Sequence, residues 1–510
     1  MEDKSKDSDS SDLNEFLGKT SRKNFLRMGG ILTLGTLMAP TLLASCKNKP
    51  DKDDKIPIDL MGKTGVKYLL KGGIILSMDD KVGNYKKGDV LIDGKIIKEI
   101  KPNIKVGKDV HVIDAEGYIV MPGFIDTHHH QYETAIRGYL AEALLLNDMK
   151  PDNPHNYIDV LINKLTPVFR PEDSYIAVLL SSINQIDAGV TTVVDTSQVA
   201  HSMKHIDAII RGLKDGGRRA LFSFSSGSGP NVPFPHKLDL IKNTYFSSTD
   251  QLLTMAMGAE VEGEHFKYYW ELARKAGIPI VSHIVDNLGT TPALEKAIKY
   301  NLLGSDNLLI HCTGLTDSMW EGIAKAGSAV SLAVPIELTM RHGMPPILQA
   351  LKNGIQPSLS TDVEVTMTPD FFTQMRSIYT LQRGLVNEMV LEGVENTPNL
   401  ITCNDVIRYA TIEGARATHL DHKTGSLTPG KEADIILLRT TDLNVMPLNN
   451  VTGSVVTLME RMNVDTVIIA GRIKKFRGKM QNIDTKMLNT KIIESRDYLF
   501  HKAGIKQNIF

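Results

Sequence analysis

Three consecutive histidines, His128, His129 and His130, end the string MPGFIDTHHH and are the first candidates for chemistry in this sequence. If the string forms a β-strand, its side chains alternate between two faces, so His128 and His130 share one face and His129 points to the other. Two imidazoles on one face can bind the same metal ion. An H-x-H triplet alone is a weak signal, because histidines also cluster on polar surfaces.

Three more candidates end apolar, β-type runs later in the chain: His283 ends IVSH, His311 ends LLIH, and Asp362 ends SLSTD. The carboxyl ends of parallel strands in a closed barrel converge on one rim, where barrel enzymes have their active sites. Imidazoles and a carboxylate buried together at that rim would cost free energy without a partner, and a divalent cation would satisfy them. The pattern therefore predicts a metal site.

The elements that must position these residues are short apolar runs that alternate with stretches of helical period. This alternation predicts an α/β protein with a (β/α)8 TIM barrel. The third run would also suit the end of a buried helix. The eight runs cover residues 119–128, 190–195, 220–224, 253–260, 278–283, 308–311, 329–334 and 357–362.

The two flanks of the barrel region contain further β-type runs. An Asp93-Gly94 turn between two of them predicts a hairpin. We interpret residues 64–121 and 431–483 as one small β-sandwich domain built from both ends of the chain. Residues 122–430 then form the catalytic barrel, and residues 484–510 a C-terminal helix.

The N-terminal residues read as an export signal. A basic string, SRKNFLR, precedes an apolar run over residues 29–43, which is shorter than the roughly 20 residues that span a bilayer. The following LASC resembles the bacterial lipobox, so Cys46 is the expected lipidation site. Residues 1–46 are thus predicted to be a signal peptide with a lipobox, and 47–63 a solvated linker.

These features predict export to the bacterial cell envelope and anchoring to the membrane through the lipid. The alternative is a plain signal peptide with an incidental cysteine. The basic string also resembles a twin-arginine signal in which Lys23 replaces the second arginine, so the export route stays open.

Composition excludes several classes of protein. Lys and Arg total 58 against 59 for Asp and Glu, so no excess charge attracts nucleic acid. Three cysteines cannot form a disulfide scaffold. A small-molecule substrate is the expected partner.

The motifs together resemble those of the amidohydrolase superfamily, within its branch of aminohydrolases and chlorohydrolases that act on heterocyclic rings. PGFIDTHHH is similar to the motif on the first strand, and VSHIVD, LIHC and STD to those on strands five, six and eight. ATIEGARA and GSLTPGKEAD resemble the C-terminal signature. The resemblance runs from about residue 68 to 475.

The resemblance implies that His128, His130, His283 and Asp362 bind the metal. It implies that His311 orients the attacking water or polarises the substrate, and that Asp362 accepts the proton of that water. Relatives with two metals bridge them with a lysine on strand four. Because the fourth run contains no lysine, a single divalent ion is expected, with zinc favoured and iron as the alternative.

Other residues are weaker candidates. Asp286 stands where ring deaminases have a glutamate that protonates the leaving amine; it is one methylene shorter, and a helix N-cap is the alternative role. Gln131 and Glu260 could bind substrate or only form hydrogen bonds at the rim. The stretch 335–346 is expected to shape the pocket, although His342 by itself predicts a surface position.

The sequence therefore predicts a metal-dependent hydrolase of non-peptide C–N bonds, most simply a deaminase of a cyclic or heterocyclic substrate. The alternatives are a cyclic or peptide-like amidase and a catalytically silent ligand-binding lipoprotein. Homo-oligomers are common in the family, but no motif in the chain demonstrates one.

Overall fold

Residues 60–150, 155–261 and 264–507 are described by the structure, a computed structural model. The predicted signal peptide with Cys46, and all but the end of the predicted linker, lie outside these residues. In the described ranges, no helix is both long and apolar enough to cross a membrane.

The N-terminal flank forms five strands. They are β1 (Lys67–Ile75), β2 (Tyr85–Asp93), β3 (Ile96–Lys101), β4 (His111–Asp114) and β5 (Tyr118–Pro122). β1 pairs antiparallel with β2 and parallel with β4 and β5. β2 and β3 form the hairpin that the Asp93-Gly94 turn predicts, and Gly94 has a φ of +63°, which glycine adopts without strain.

Eight parallel strands then pair in chain order in a second sheet. They are β6 (Phe124–His129), β7 (Val190–Ser197), β8 (Arg219–Phe224), β9 (Leu253–Gly258), β10 (Ile280–Val285), β11 (Asn307–Thr313), β12 (Ala329–Leu332) and β13 (Ser358–Leu359). Each overlaps one predicted run, the uncertain third run included. The barrel prediction is therefore confirmed.

The first predicted run, residues 119–128, is wrong in one respect, because it contains two strands. Its first half is β5 of the outer sheet and its second half is β6 of the barrel. The chain passes between the sheets at Gly123, where a Cβ atom would lie 2.2 Å from Cγ2 of Thr191. Only glycine permits this close approach of the backbone to β7.

The barrel is joined between its first and last strands at the residues that carry the candidate ligands. The backbone N–H of His130 donates to the carbonyl of Asp362 at 2.8 Å, and the N–H of Asp362 donates to the carbonyl of His128 at 3.0 Å. These two bonds fix the backbone of Asp362 beside both histidines.

Helices cover the outside of the barrel and bury apolar stripes against it. The second of them, for example, buries Ile206, Ile209, Ile210 and Leu213, which lie on one face at helical spacing. The α-helices of at least six residues in the described ranges are α1 (Pro171–Asp187), α2 (Met203–Gly216), α3 (Leu238–Tyr245), α4 (His265–Ala276), α5 (Thr291–Lys299), α6 (Asp317–Ala326), α7 (Val334–Thr339), α8 (Ile347–Lys352), α9 (Phe371–Leu391), α10 (Cys403–Tyr409), α11 (Ile412–Ala417) and α12 (Thr485–Ala503).

Both ends of the chain meet in the outer sheet, as the sequence predicts. The C-terminal strands are β14 (Ile435–Arg439), β15 (Val464–Ile469), β16 (Arg472–Phe476) and β17 (Lys479–Met480). β14 pairs antiparallel with β5, which completes a nine-stranded sheet. Tyr68 and Val90 from one flank and Ile435 and Ile468 from the other form a core of their own. α12 packs its Leu488 against α1.

Candidate metal centre

Three histidines and one aspartate meet at the carboxyl ends of the barrel strands. Nε2 of His128 lies 3.1 Å from Oδ1 of Asp362 and 3.2 Å from Nε2 of His283. Nε2 of His130 lies 3.5 Å from the same Oδ1. The structure thus brings together the four side chains that the family resemblance nominates as ligands, although they are far apart in the sequence.

The spacing of these atoms fits a small cation. Ligands at the 2.0–2.1 Å typical of zinc are about 3.3 Å apart in a tetrahedral site. The potential ligand atoms of His128, His130 and Asp362 all lie within 4.8 Å of one another, as do those of His128, His283 and His311. Nδ1 of His283 donates to Glu260, so Nε2 of the neutral ring carries a lone pair toward His128. A cation between the two rings would remove the repulsion between their facing Nε2 atoms.

The protonation states also suit a metal site. Burial lowers the pKa of His128 to about 4 and that of His130 well below its ordinary value. Burial alone would raise the pKa of Asp362, but His311 and His128 outweigh it and hold this pKa well below the ordinary value. Neutral imidazoles and an ionised carboxylate are the forms that bind metals.

The metal-free protein is expected to lose stability as the pH falls from about 6.5 to about 4. An unfolded histidine titrates near 6.5, whereas burial lowers the pKa of His128 and His311 in the folded protein to about 4. Between these values the unfolded chain binds more protons, so acid favours unfolding. Thermal melts of chelator-treated protein test this, and His128→Gln should show a smaller loss. A melting temperature independent of pH in this window would contradict the prediction.

His311 lies beside the cluster, and a defined tautomer follows from its partners. Its Nδ1 lies 3.1 Å from Oε1 of Glu337, and this oxygen also accepts the backbone N–H of Ala333 at 2.8 Å. We therefore assign the hydrogen to Nδ1, which leaves a lone pair on Nε2 of the neutral ring. Nε2 is 3.6 Å from Oδ2 of Asp362, an oxygen for which no hydrogen-bond partner exists among the described residues.

The backbone at these two residues is strained. His311 and Asp362 have φ values of +69° and +60°, and neither is glycine. Such conformations cost on the order of 1–3 kcal/mol each and persist mainly at functional sites. The strain occurs where the strand ends point their side chains at the cluster.

His129 faces away from the cluster, as the alternation along a strand requires. Its Nε2 contacts Oγ of Ser181 at 3.1 Å and Oε1 of Glu364 at 3.2 Å. Arg137 forms an ion pair with the same Glu364. This network ties the loop after β6 to the segment after Asp362.

A cavity of about 220 Å³ opens beside the cluster. His342 lines it and is only 6% exposed, so the surface position expected for this residue is wrong. Its ring packs edge-on against His311 with centroids 4.7 Å apart, and neither ring nitrogen has a partner within the described chain. The lining is His130, Leu145, Tyr157, Ile158, Ile162, Gln198, Glu260, His283, Val285, Leu288, Thr290, His311, Met340, His342, Asp362 and Val363.

Glu260 lines the cavity and holds His283. Its Oε1 accepts from Nδ1 of His283 at 2.8 Å, and its Oε2 accepts the backbone N–H of His283 at 2.9 Å. Carboxylates that orient a histidine ligand in this way also raise its basicity. Burial alone would raise the pKa of Glu260, but His283 outweighs it and lowers the value, so the group is a carboxylate.

Replacing Glu260 with glutamine is expected to weaken zinc affinity by about 10- to 100-fold, because an amide cannot accept both hydrogens. Competition with a chromophoric chelator measures the Kd. Glu264→Gln is the matched control, since Glu264 is exposed and pairs with lysines. Equal Kd values for Glu260→Gln and wild type would contradict the orienting role.

Gln131 and Asp286 lie outside this lining. Gln131 is buried: its amide donates to Asp195 at 2.9 Å, and its oxygen accepts from Ser182 and Arg218. Asp286 is exposed, and its Oδ1 accepts from the hydroxyl of Thr291 at 2.6 Å, at the start of α5. The geometry supports neither the predicted substrate contact of Gln131 nor the predicted catalytic role of Asp286, because neither side chain lines the cavity and both form hydrogen bonds elsewhere.

Two residues of the site were not identified from the sequence. Oγ1 of Thr196 lies 3.0 Å from Nδ1 of His128, because β7 continues past Asp195, where the second run was predicted to end. Glu337 belongs to the stretch expected to shape the pocket, but its contact with His311 depends on how α7 follows β12. The Thr196 contact could have been inferred, since Thr196 lies on the opposite face of the strand from Asp195.

Comparison with known proteins gives the family. The model of the amidohydrolase family matches residues 119–474. A 5-methylthioadenosine/S-adenosylhomocysteine deaminase of Caldicellulosiruptor saccharolyticus is 24% identical over 82% of this chain and 96% of its own. A 5′-deoxyadenosine deaminase of Methanobrevibacter smithii is 26% identical over 83% of this chain and 96% of its own.

Solved structures share the fold. An adenosine deaminase from Xanthomonas campestris with bound zinc has a TM-score of 0.74 at 20% identity, covering 85% of this chain and 98% of that one. Atrazine chlorohydrolase from Arthrobacter aurescens, complexed with zinc, has a TM-score of 0.74 at 19% identity, covering 84% and 100%. Since the family model spans well over half of the sequence, the chain belongs to the amidohydrolase family.

Proposed function

We propose that the protein is a metal-dependent deaminase that hydrolyses the exocyclic C–N bond of an amino-substituted nitrogen heterocycle and releases ammonia. The observation that carries the proposal is the cluster of His128, His130, His283 and Asp362 with His311 beside it, at the wall of a cavity. Two similar relatives are named as deaminases of adenine nucleosides, which supports this class of substrate.

We propose one cation, zinc, held by His128, His130, His283 and Asp362. β9 contains no lysine that could bridge a second ion, and the structurally similar adenosine deaminase carries zinc. A zinc ion held there would lower the pKa of its water to about 7, which would supply hydroxide at neutral pH.

The chain's own groups move the protons. Oδ2 of Asp362, which has no partner in the described chain, accepts a proton from the attacking water. Nε2 of His311, 3.6 Å away, accepts a hydrogen bond from the same water and so orients it. Because Asp286 lies outside the cavity, Asp362 is also the group that returns the proton to the departing amine.

The rest of the cavity suits a flat ring with polar edges. Leu145, Ile162 and Val285 offer apolar surface to the faces of a ring, and the amide N–H groups of Gln198 offer hydrogen bonds to its edge. The unpartnered nitrogens of His342 can bind a ring nitrogen or a hydroxyl.

A substrate panel tests the proposal. Zinc-loaded protein is incubated with adenosine, 5′-deoxyadenosine, 5′-methylthioadenosine and cytosine, and with dihydrouracil as a cyclic amide. Release of ammonia with the hydroxylated ring as product is the expected result. A new carboxylate from dihydrouracil without ammonia release would instead show a cyclic amidase, and binding without turnover would show a ligand-binding protein.

We also propose that the protein is exported and anchored to the cell envelope through lipid on Cys46. The support is the order of basic string, apolar run and LASC in the sequence. Cys46→Ala is expected to move the protein from the membrane fraction to the soluble fraction of cells, and unchanged fractionation would refute the anchor.

A further inference from the structure

A second cavity lies at the opposite end of the barrel from the metal centre. It has a volume of about 500 Å³ and shares no lining residue with the cavity beside His311. Arg218, directly before β8, and Leu253, the first residue of β9, line it on the barrel side. Gly94 and Arg472 line it on the side of the outer sheet. It is therefore a junction between the two sheets.

The charges around this cavity are unbalanced. Its lining includes four cationic side chains and two carboxylates, Asp250 and Glu432. Both carboxylates already form ion pairs with Lys95, and Glu432 also pairs with Arg219. The other three cations in the lining form no ion pair with any described residue; they are Lys214, Arg218 and Arg472.

Two of these cations are also left with unused hydrogen-bond donors. Arg218 is fully buried, and its Nε has no acceptor in the described chain, although its other nitrogens donate to Gln131 and Gln185. Nε of Arg472 is likewise buried without an acceptor. Lys474 adds a fifth cation close by, since its Nζ packs against Gly217, the neighbour of Arg218. Its pKa is lowered by burial and by Arg472.

Buried cations are normally paired, because an unpaired charge loses its hydration without compensation. Guanidinium groups bind phosphate oxygens with two parallel hydrogen bonds, and a lysine adds a point charge. We propose that this junction binds a small phosphate-bearing anion between Lys214 and Arg472, with the charge of the fully buried Arg218 behind them. The proposal is independent of the reaction at the metal centre.

The test uses the zinc-loaded full chain and inorganic phosphate. Thermal melts in potassium phosphate are compared with melts in potassium chloride at equal, low ionic strength, and titration calorimetry gives the Kd. Lys214 and Arg472 are replaced together by glutamine, while Arg218 is kept because it also supports Gln131, next to His130. The matched control replaces Lys299 and Lys325, two exposed lysines that form no ion pair with a described residue.

Phosphate is expected to raise the melting temperature of the wild type and of the control more than chloride does. In the double variant the Kd should be at least about tenfold weaker, because two charged hydrogen-bonding groups are lost. Phosphate can also bind to the zinc. The proposed site therefore accounts only for the part of the melting-temperature rise that is present in the wild type and absent from the double variant. Equal phosphate effects in the wild type and the double variant, or none in the wild type, would overturn the proposal. Replacing inorganic phosphate by glycerol phosphate shows whether the site takes the free ion or a phosphorylated molecule.

Discussion

Replacing Asp362 with asparagine is expected to lower kcat for the deaminated substrate by on the order of a thousandfold or more. The amide keeps the volume of the side chain, but it cannot accept a proton from water at Oδ2. The substitution also removes the negative charge of the carboxylate, whose Oδ1 lies beside His128 and His130. The variant is therefore expected to lose both the proton acceptor and part of the affinity for the metal. Steady-state ammonia release, with metal content measured on the same sample, gives both values.

The matched control for Asp362 is Asp286→Asn, which makes the same chemical change at an exposed carboxylate outside the cavity. We expect its kcat to change by less than about threefold, as is usual for a substitution away from the reacting atoms. A large loss at Asp286 together with a small loss at Asp362 would contradict the assignment of the proton acceptor. It would restore the role that the family resemblance first suggested for Asp286.

Replacing His311 with glutamine is expected to lower kcat by about a hundredfold to a thousandfold while the protein keeps its metal. His311 is proposed to orient water and is not counted among the ligands, although its nitrogen is close enough to the other donors to bind a cation. Metal content therefore separates the two roles. The comparison is His283→Gln, which removes a proposed ligand and should lose metal and activity together. Loss of metal from His311→Gln would place His311 among the ligands.

The positions of the site residues could be predicted because they depend on two periodic features. Alternation along a strand places His128 and His130 on one face, and parallel strands in a barrel bring His283, His311 and Asp362 to the same rim. Neither inference needs the exact geometry of a loop. The backbone hydrogen bonds that join His128, His130 and Asp362 follow from the same closure of the barrel.

The residues that could not be predicted lie where the chain leaves this regular pattern. His342 follows the short helix α7, and only the turn between them brings its ring against His311. Asp286 follows β10 directly, yet the turn there places its carboxylate in a hydrogen bond with Thr291, and Asp286 does not line the cavity. The break of the first predicted run at Gly123 depends on a contact with Thr191, which the sequence of one strand cannot show.

The polar residues behind the metal centre also could not be placed from the sequence. Gln131 follows a candidate ligand in the sequence, and that position suggested a contact with substrate. The side chain instead lies behind the barrel wall, where Asp195, Ser182 and Arg218 satisfy it. Which side of the wall such a side chain occupies depends on the turn after β6 and on the helix packed behind it.

Side chains from three separate strand ends should together bind one cation, and metal analysis of the purified full chain measures this binding. We expect about one equivalent of zinc per chain in the wild type and far less than one in His283→Gln under the same dialysis. A wild type that binds no divalent ion, or a His283→Gln variant that retains a full equivalent, would contradict it.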